Sequence, residues 1–312
     1  MRILRDSDDL VIDASVLTTG AFDGVHLGHQ QVIGTVRERA EALGVASVVV
    51  TFDQHPALVV RPESAPKLLT RLERKLELLE AMGVDGVYVI EFDAERASTT
   101  ADEFVSQVFI DRLGAREIFV GSDFNFGKGR EGTVELLTER GKQNGFEVTG
   151  LELVRVDDSA TEHISSTAIR RALVGGDIEA ANAMLGRPFE LHGEVVQGDQ
   201  RGRLLGFPTA NVVLADDLAR PANGVYACEV ELPDGRMLTA ATNIGVRPTF
   251  YETAEGAVLE AHLLDFDEDL YGQEVKVRFL HFLRSERRFN GVDELKAQLD
   301  LDIADTRRVS KE

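Results

Sequence analysis

The chain has one cysteine, Cys228, among 312 residues. A single thiol rules out both a disulfide framework and a Cys-based zinc site. Its surroundings, Val225-Tyr226-Ala227-Cys228-Glu229-Val230, read as a strand in which it serves as a small buried hydrophobe. Long apolar runs are missing too. Nothing approaches the roughly 18 residues of a membrane-spanning helix, and the opening MRILRDSDDL lacks the apolar centre of a signal peptide. A soluble cytoplasmic protein with no membrane partner is expected. Basic residues are outnumbered, 34 Lys and Arg against 54 Asp and Glu, a formal charge of −20. A general phosphate-backbone binder needs a basic face, so no nucleic-acid partner is expected, although a small basic pocket for a nucleotide is allowed. The acidic excess itself reads as a solvated surface. Repeats and low-complexity tracts are also lacking.

The length points to two domains. Up to about residue 186, strand-like segments (15–20, 45–52, 86–91, 117–121, 147–155) alternate with helical patterns (30–43, 71–82, 101–113, about 132–143). Gly44, Gly83, Gly114 and Gly145 follow these patterns, where a helix end wants a left-handed residue. Alternation of this kind predicts a parallel sheet covered on both faces. From about 187 short β-type runs follow one another (190–196, 224–232, 237–244, 258–266, 274–282), which predicts an antiparallel barrel, and Val292 to Leu299 reads as one amphipathic helix. The domain limit is set near Gly186-Arg187-Pro188, giving residues 1–186 and 187–312.

The first strand runs into Gly20-Ala21-Phe22-Asp23-Gly24-Val25-His26-Leu27-Gly28-His29, and a helix follows at once. Backbone N–H groups at a helix start, together with the helix dipole, favour a phosphate. Gly28 lets a nucleotide come close, and His26 and His29, three residues apart, can neutralise charge developing on an α-phosphate. The same two histidines also suit a metal pair lacking a third ligand, or an ordinary helix surface. Ile164-Ser165-Ser166-Thr167-Ala168-Ile169-Arg170 opens another helix. Its hydroxyls are cap residues, and Arg170 can point at phosphates gathered there. Gly121-Ser122-Asp123-Phe124-Asn125-Phe126-Gly127-Lys128-Gly129-Arg130 follows a strand end, where open α/β sheets bind ligands. Phe124 and Phe126 offer flat faces for a ring and Asp123 a polar anchor, unless the two phenylalanines are core residues around a turn.

Segments 20–29, 121–130 and 164–170 resemble the motifs of the bacterial bifunctional riboflavin kinase/FMN adenylyltransferase family, whose first module is similar to nucleotidylyltransferases of the His-x-Gly-His class. Residues 51–56 and 65–70 match stretches that line the flavin side in that family. Ala21 stands where Thr or Asn is usual and Gln54 where Pro is usual; the backbone cradle does not need a side chain at 21. The resemblance implies a Rossmann-like α/β domain. It implies catalysis by His26, His29 and Arg170, phosphate contacts at Gly20, Phe22, Gly28, Ser165, Ser166 and Thr167, and flavin contacts at Asp123, Phe124, Asn125, Phe126 and Pro56.

In the second half, residues 198–211 (GDQRGRLLGFPTAN) form a loop with three glycines and two arginines that can wrap phosphates, without the Gly-Lys-Ser/Thr of a Walker loop. Thr209 and Asn211, two apart in extended chain, face the same way and can share one Mg²⁺. Glu260 is a carboxylate on an otherwise apolar strand, which is costly unless paired or used, for instance as a general base. Together with 224–227, 243–250, 260–266 and 269–272, these segments resemble the riboflavin kinase module of the same family, and Phe279 to Leu299 resembles the stretch lying against its flavin site. The resemblance implies a six-stranded barrel with a terminal helix. It makes Glu260 the base on the flavin 5′-hydroxyl and Thr209 and Asn211 metal ligands. It places phosphate contacts at Gly198, Arg203, Gly206, Thr209 and Asn211 and a flavin contact at Arg247.

The expected activity is therefore riboflavin to FMN and FMN to FAD. ATP and flavin serve as substrates and Mg²⁺ as cofactor, in a monomer or weak homo-oligomer. Two rivals remain at this point. A nucleotidylyltransferase for another phosphorylated acceptor leaves the motifs at 206–211 and 243–250 unexplained. A flavin carrier with lost catalysis is opposed by the intact chemical positions.

Overall fold

The computed structural model describes residues 1–8, 11–152, 154–155, 163–198, 202, 205–245 and 258–310. The chain divides into two compact units, Met1–Ser166 and Thr167–Glu312.

The first unit is built on a six-stranded sheet of β1 (Arg2–Arg5), β2 (Ser15–Thr19), β3 (Ala46–Phe52), β4 (Gly86–Ile90), β5 (Ala115–Gly121) and β6 (Glu147–Leu151), in the order β1-β4-β3-β2-β5-β6. All five pairings are parallel. Strands buried on both faces read as largely apolar runs; β2 and β4 are buried throughout, β2 also burying Ser15, Thr18 and Thr19, with the Ser15 hydroxyl donating to the Leu113 carbonyl at 2.6 Å. Alternate residues divide between two layers. Leu17, Val48, Val50, Ile90 and Ile118 join one core cluster, while Val49, Val87 and Val89 join another and Val16 and Phe119 a third. Helices α1 (Leu27–Leu43) and α3 (Leu72–Ala81) supply Ile33 and Leu79 to the second cluster; Phe104, Phe109 and Leu137, from α4 (Ala101–Phe104), the turns after it and α5 (Val134–Asn144), fill the first. Between α1 and α3 lies the short α2 (Pro56–Val60).

All four expected glycines have positive φ. At Gly114 the requirement is double: φ is +50°, and a Cβ would stand 2.3 Å from the Asp13 carbonyl oxygen. The segment expected as one helix over 101–113 instead makes a single capped α-turn, with a Thr100–Glu103 capping box, and then widens into π-type turns over Val105–Arg112. Strand β1 was not expected. Its sequence, RILR, has one buried side chain, Leu4, which leaves no alternation to read.

The second unit holds α6 (Ser166–Gly175) from its second residue on, α7 (Ile178–Leu185) and a closed barrel. The barrel is formed by β7 (Phe189–Val196), β8 (Ala210–Leu214), β9 (Gly224–Glu231), β10 (Met237–Gly245), β11 (Val258–Leu263) and β12 (Glu274–Arg284), ringed in the order β10-β11-β8-β7-β12-β9. Every pairing is antiparallel. Asn182 of α7 fastens that helix to the barrel, donating to the Phe279 carbonyl at 2.8 Å and accepting from the Phe189 N–H at 2.7 Å. Tyr226 and Phe279 are fully buried edge to face, 5.4 Å between centroids. Cys228 is fully buried beside them, and burial pushes its thiol up to about 12, so it is the inert hydrophobe expected. The last helix, α8 (Val292–Val309), runs ten residues beyond the expected Leu299. Strand β8 begins inside the segment 198–211 expected as a glycine-rich loop.

Candidate active sites

In the first unit the chain leaves β2 toward β3 and β4 on one side, and lies at β5 and β6 on the other. The strand order therefore reverses between β2 and β5, and open α/β sheets bind ligands outside the carboxyl ends of strands at such a switch. The two loops that leave the sheet there are 20–26 and 121–130.

The first loop is held in a conformation that ordinary residues avoid. Phe22 (φ 48°), Gly24 (φ 86°) and Val25 (φ 40°) are all left-handed. Such backbone persists only where its surroundings over-determine it, and Phe22 and Val25 are locked in the core at 3% and 1% exposure. Between them the buried Asp23 accepts from the N–H groups of Leu69 (2.9 Å) and Thr70 (3.0 Å), Thr70 Oγ1 accepts from the Gly24 N–H (3.0 Å), and Ser166 Oγ donates to the Asp23 carbonyl (2.8 Å). Leu69 and Thr70 thus act as a brace for the loop. From the other side the Lys75 ammonium donates to the Ala21 carbonyl (3.0 Å), Thr51 Oγ1 (3.0 Å) and the Phe52 carbonyl (3.1 Å). Burial lowers this lysine to about 8, partly offset by Asp23 and Asp53. Position 21 is gripped through its backbone, so Ala21 in place of a larger residue leaves this hold intact.

His26 caps α1, its Nδ1 accepting the His29 N–H at 3.3 Å. The two rings stack 3.6 Å apart at 17°, and Phe22 meets His29 edge-on at 5.0 Å. Nearly parallel imidazoles aim their lone pairs side by side and cannot converge on one metal. Among the described residues there is no group of three or more His, Cys, Asp or Glu placed to hold one. A Cβ on Gly28 would press on the His26 ring at 3.2 Å, so the glycine makes room for the stack.

In the second loop Phe126 is buried and Phe124 is stacked on it at 5.4 Å and 12°. Phe126 is thus a core ring, as the turn reading had it, while Phe124 is half-buried beside an exposed Asp123 and a half-buried Asn125 that donates to the Asp123 carbonyl (2.7 Å). Pro56 opens α2, capped by His55, and Gln54 ties to the Phe92 carbonyl at 2.8 Å. Ser165 and Ser166 end the first unit. Thr167, exposed, and Arg170, half-buried, lie on α6.

Two cavities lie against the barrel among the described residues. One, about 360 Å³, is lined by Gly198, Pro208, Thr209, Asn211, Asp267, Tyr271 and neighbours; the other, about 470 Å³, by Phe207, Asn243, Glu260, His262, Arg284, Phe289 and residues of α8. Thr209 and Asn211 line both, so the segment 208–211 is the wall between them. Glu260 stands directly opposite Asn211 on β8 and Asn243 on β10, a polar row across three strands facing the larger cavity. A Cβ on Gly198 would lie 2.4 Å from the Asn211 side-chain amide, which would have to shift to admit it. Gly206 is exposed with φ +93°. Arg203 and Arg247 lie outside the described residues.

Residues 10–168 match the FAD synthetase domain family and 185–310 the riboflavin kinase domain family. Proteins named bifunctional riboflavin kinase/FMN adenylyltransferase are similar along nearly the whole chain. The one from Bacillus subtilis is 40% identical over 92% of this chain and 90% of its own, and that from Escherichia coli K12 is 40% identical over 93% and 91%. This chain belongs to the bifunctional riboflavin kinase/FMN adenylyltransferase family. Its activities are phosphorylation of riboflavin and adenylylation of FMN, with ATP and flavin as substrates, and the carrier reading is not favoured. A solved structure described as a macrolide-efflux protein from Streptococcus pneumoniae has the same fold (TM-score 0.86, 33% identity, 98% of this chain and 99% of that one). In this bifunctional enzyme no helix among the described residues is long and apolar enough to cross a membrane.

Sequence reasoning had not singled out Lys75, or the Arg284–Asp302 pair described below. The signal for Lys75 was present: in LERKLELLEA it occupies the stripe Leu72, Lys75, Leu76, Leu79 that faces the core.

Proposed function

We propose that adenylyl transfer belongs to residues 1–186 and riboflavin phosphorylation to 187–312. The observation that carries this is the pairing of two differently built sites, a braced His-x-Gly-His loop at a sheet switch point and a barrel with two cavities sharing one wall. In the barrel the smaller cavity takes ATP and the larger takes riboflavin. Glu260 removes the proton as the flavin 5′-oxygen bonds to the γ-phosphorus and ADP leaves. The oxygens of Thr209 and Asn211 suit Mg²⁺, which keeps several waters and substrate phosphates as ligands and needs no protein cage; when bound, it neutralises phosphate charge. On the sheet, an already ionised oxygen of the FMN phosphate bonds to the α-phosphorus of ATP and pyrophosphate departs. No strong base is needed there. Alignment by the loop and charge neutralisation by His26 and His29 carry the step. The enzyme acts as a cytoplasmic monomer or weak homo-oligomer in this reading.

The test is a time course with riboflavin, ATP and Mg²⁺, products separated by chromatography. The parent enzyme should form FMN and then FAD. His29→Ala should accumulate FMN, with FAD formation down ~100-fold or more. Unchanged FAD formation in a folded His29→Ala enzyme would remove His29 from the mechanism.

A further inference from the structure

The ladder between β8 and β11 ends at the pair Ala210–Ala261. Just beyond it, one residue along β11 and two residues before the start of β8, a side chain takes over from the backbone: His262 Nδ1 lies 2.7 Å from the Pro208 carbonyl oxygen. A carbonyl only accepts, so Nδ1 carries the hydrogen and the tautomer is set by this bond. Phe207 packs edge-on to the same ring at 5.9 Å. The bond therefore fastens the start of the wall between the two cavities to the strand that bears Glu260, two residues away on the same face. His262 lines the larger cavity and Pro208 the smaller, so the hydrogen bond passes through the wall from one to the other.

We propose that His262 is a positioning residue of the kinase. By holding Pro208, it sets Thr209 and Asn211 at the distance from Glu260 at which nucleotide and flavin meet. This rests on the proposed roles of Thr209, Asn211 and Glu260. It is not a proton-transfer role: the hydrogen on Nδ1 is engaged with the protein itself.

Side-chain geometry supplies the test. An asparagine amide places its N–H close to the position of Nδ1, whereas a glutamine amide places it near Nε2. His262→Ala and His262→Gln should each raise the KM for MgATP and lower kinase kcat, a combined loss in kcat/KM of ~10-fold or more, the scale of one lost hydrogen bond. His262→Asn should recover to within ~3-fold of the parent. Thermal midpoints of all three are measured alongside, and adenylyl transfer from supplied FMN should be unchanged throughout. A role confined to stability would rank the variants by midpoint, not by where the amide sits. Parental kinetics in His262→Ala and His262→Gln would overturn the proposal, as would an Asn variant as impaired as Ala. Thr209→Ala is run in parallel. Full kinase activity in that variant would instead sink the reading of the wall as the nucleotide site, an outcome separate from any result at His262.

Discussion

At the scale of single residues, the most informative group is one that supports the loop from behind. Lys75 is 7% exposed and spends its three donors on two backbone carbonyls and a threonine hydroxyl around the His-x-Gly-His loop. An ammonium has three donors and no acceptor, so it is matched to a ring of oxygens that no apolar side chain can satisfy. Desolvation lowers its pKa from 10.5 to about 8. The unfolded chain therefore binds more protons than the folded one between about pH 8 and 10.5, and this group's contribution to stability rises with pH across that window. The full span corresponds to ~3 kcal/mol at one pKa unit per ~1.4 kcal/mol. Denaturation at pH 7.5 and pH 10 should show the parent gaining stability relative to Lys75→Met. A difference between the two proteins that does not change with pH would mean the lysine is not the desolvated cation described. Lys75→Met should also slow adenylyl transfer, because the Ala21 and Phe52 carbonyls lose their donor, and leave the kinase untouched. The sequence showed the loop but not its support. A lysine in an apolar stripe is visible in LERKLELLEA, whereas the oxygens it serves come from residues 21, 51 and 52, brought to it only by the folded sheet.

Elements follow a similar division. The central strands β3 and β4 of the parallel sheet are legible because they are buried along nearly their whole length and rich in valine, and the helix ends because glycine marks them. What escaped were elements whose own sequence is mixed. Strand β8 begins at Ala210 in the middle of a glycine-rich motif, and the register that places Asn211 opposite Glu260 is a property of the closed barrel. Helix α8 was cut short at Leu299 because its second half, DLDIADTRRV, buries polar groups. Asp302 and Thr306 are its buried residues. Asp302 receives the Arg284 guanidinium from β12 in a two-pronged pair at 2.8 and 2.7 Å and the Gln298 amide at 2.8 Å. Arg284, Asp302, Leu295, Leu299 and Ile303 all line the larger cavity, so this pair holds the helix that forms one side of it. Removing Arg284 leaves the buried Asp302 carboxylate without its charged donor, a cost of about 1–3 kcal/mol for a half-buried pair. Arg284→Ala should therefore lower the denaturation midpoint sharply and raise the riboflavin KM. Arg307→Ala, which breaks the exposed Arg307–Asp265 pair on the same helix, should leave both near the parent. Equal effects from the two substitutions would deny Asp302 its special place.

At the scale of the whole molecule, composition and chemistry pull against each other. A chain of formal charge −20 must admit ATP and FMN, both anions, and the cavity assigned to ATP is itself edged by Asp267, Glu268 and Asp269. Arg236 neutralises part of this, gripping Glu268 at 2.6 and 2.9 Å. The remaining field opposes the approach of a free nucleotide over about a Debye length, ~30 Å at 0.01 M salt and ~10 Å at 0.1 M. Contacts made inside the cavity act at a few ångströms and are screened far less. Added salt should therefore relieve the repulsion before it weakens the grip, the reverse of a protein that steers its substrate with opposite charge. For the kinase, kcat/KM for MgATP should rise as NaCl goes from ~10 to ~100 mM, while kcat/KM for riboflavin, which is uncharged, should stay level over the same range. The adenylyl step, in which both substrates are anions, should rise more steeply than the kinase step. Steady-state kinetics on the intact enzyme at constant free Mg²⁺ decide it. A fall in kcat/KM for MgATP with salt would mean that a local basic patch outweighs the global charge and dominates the approach.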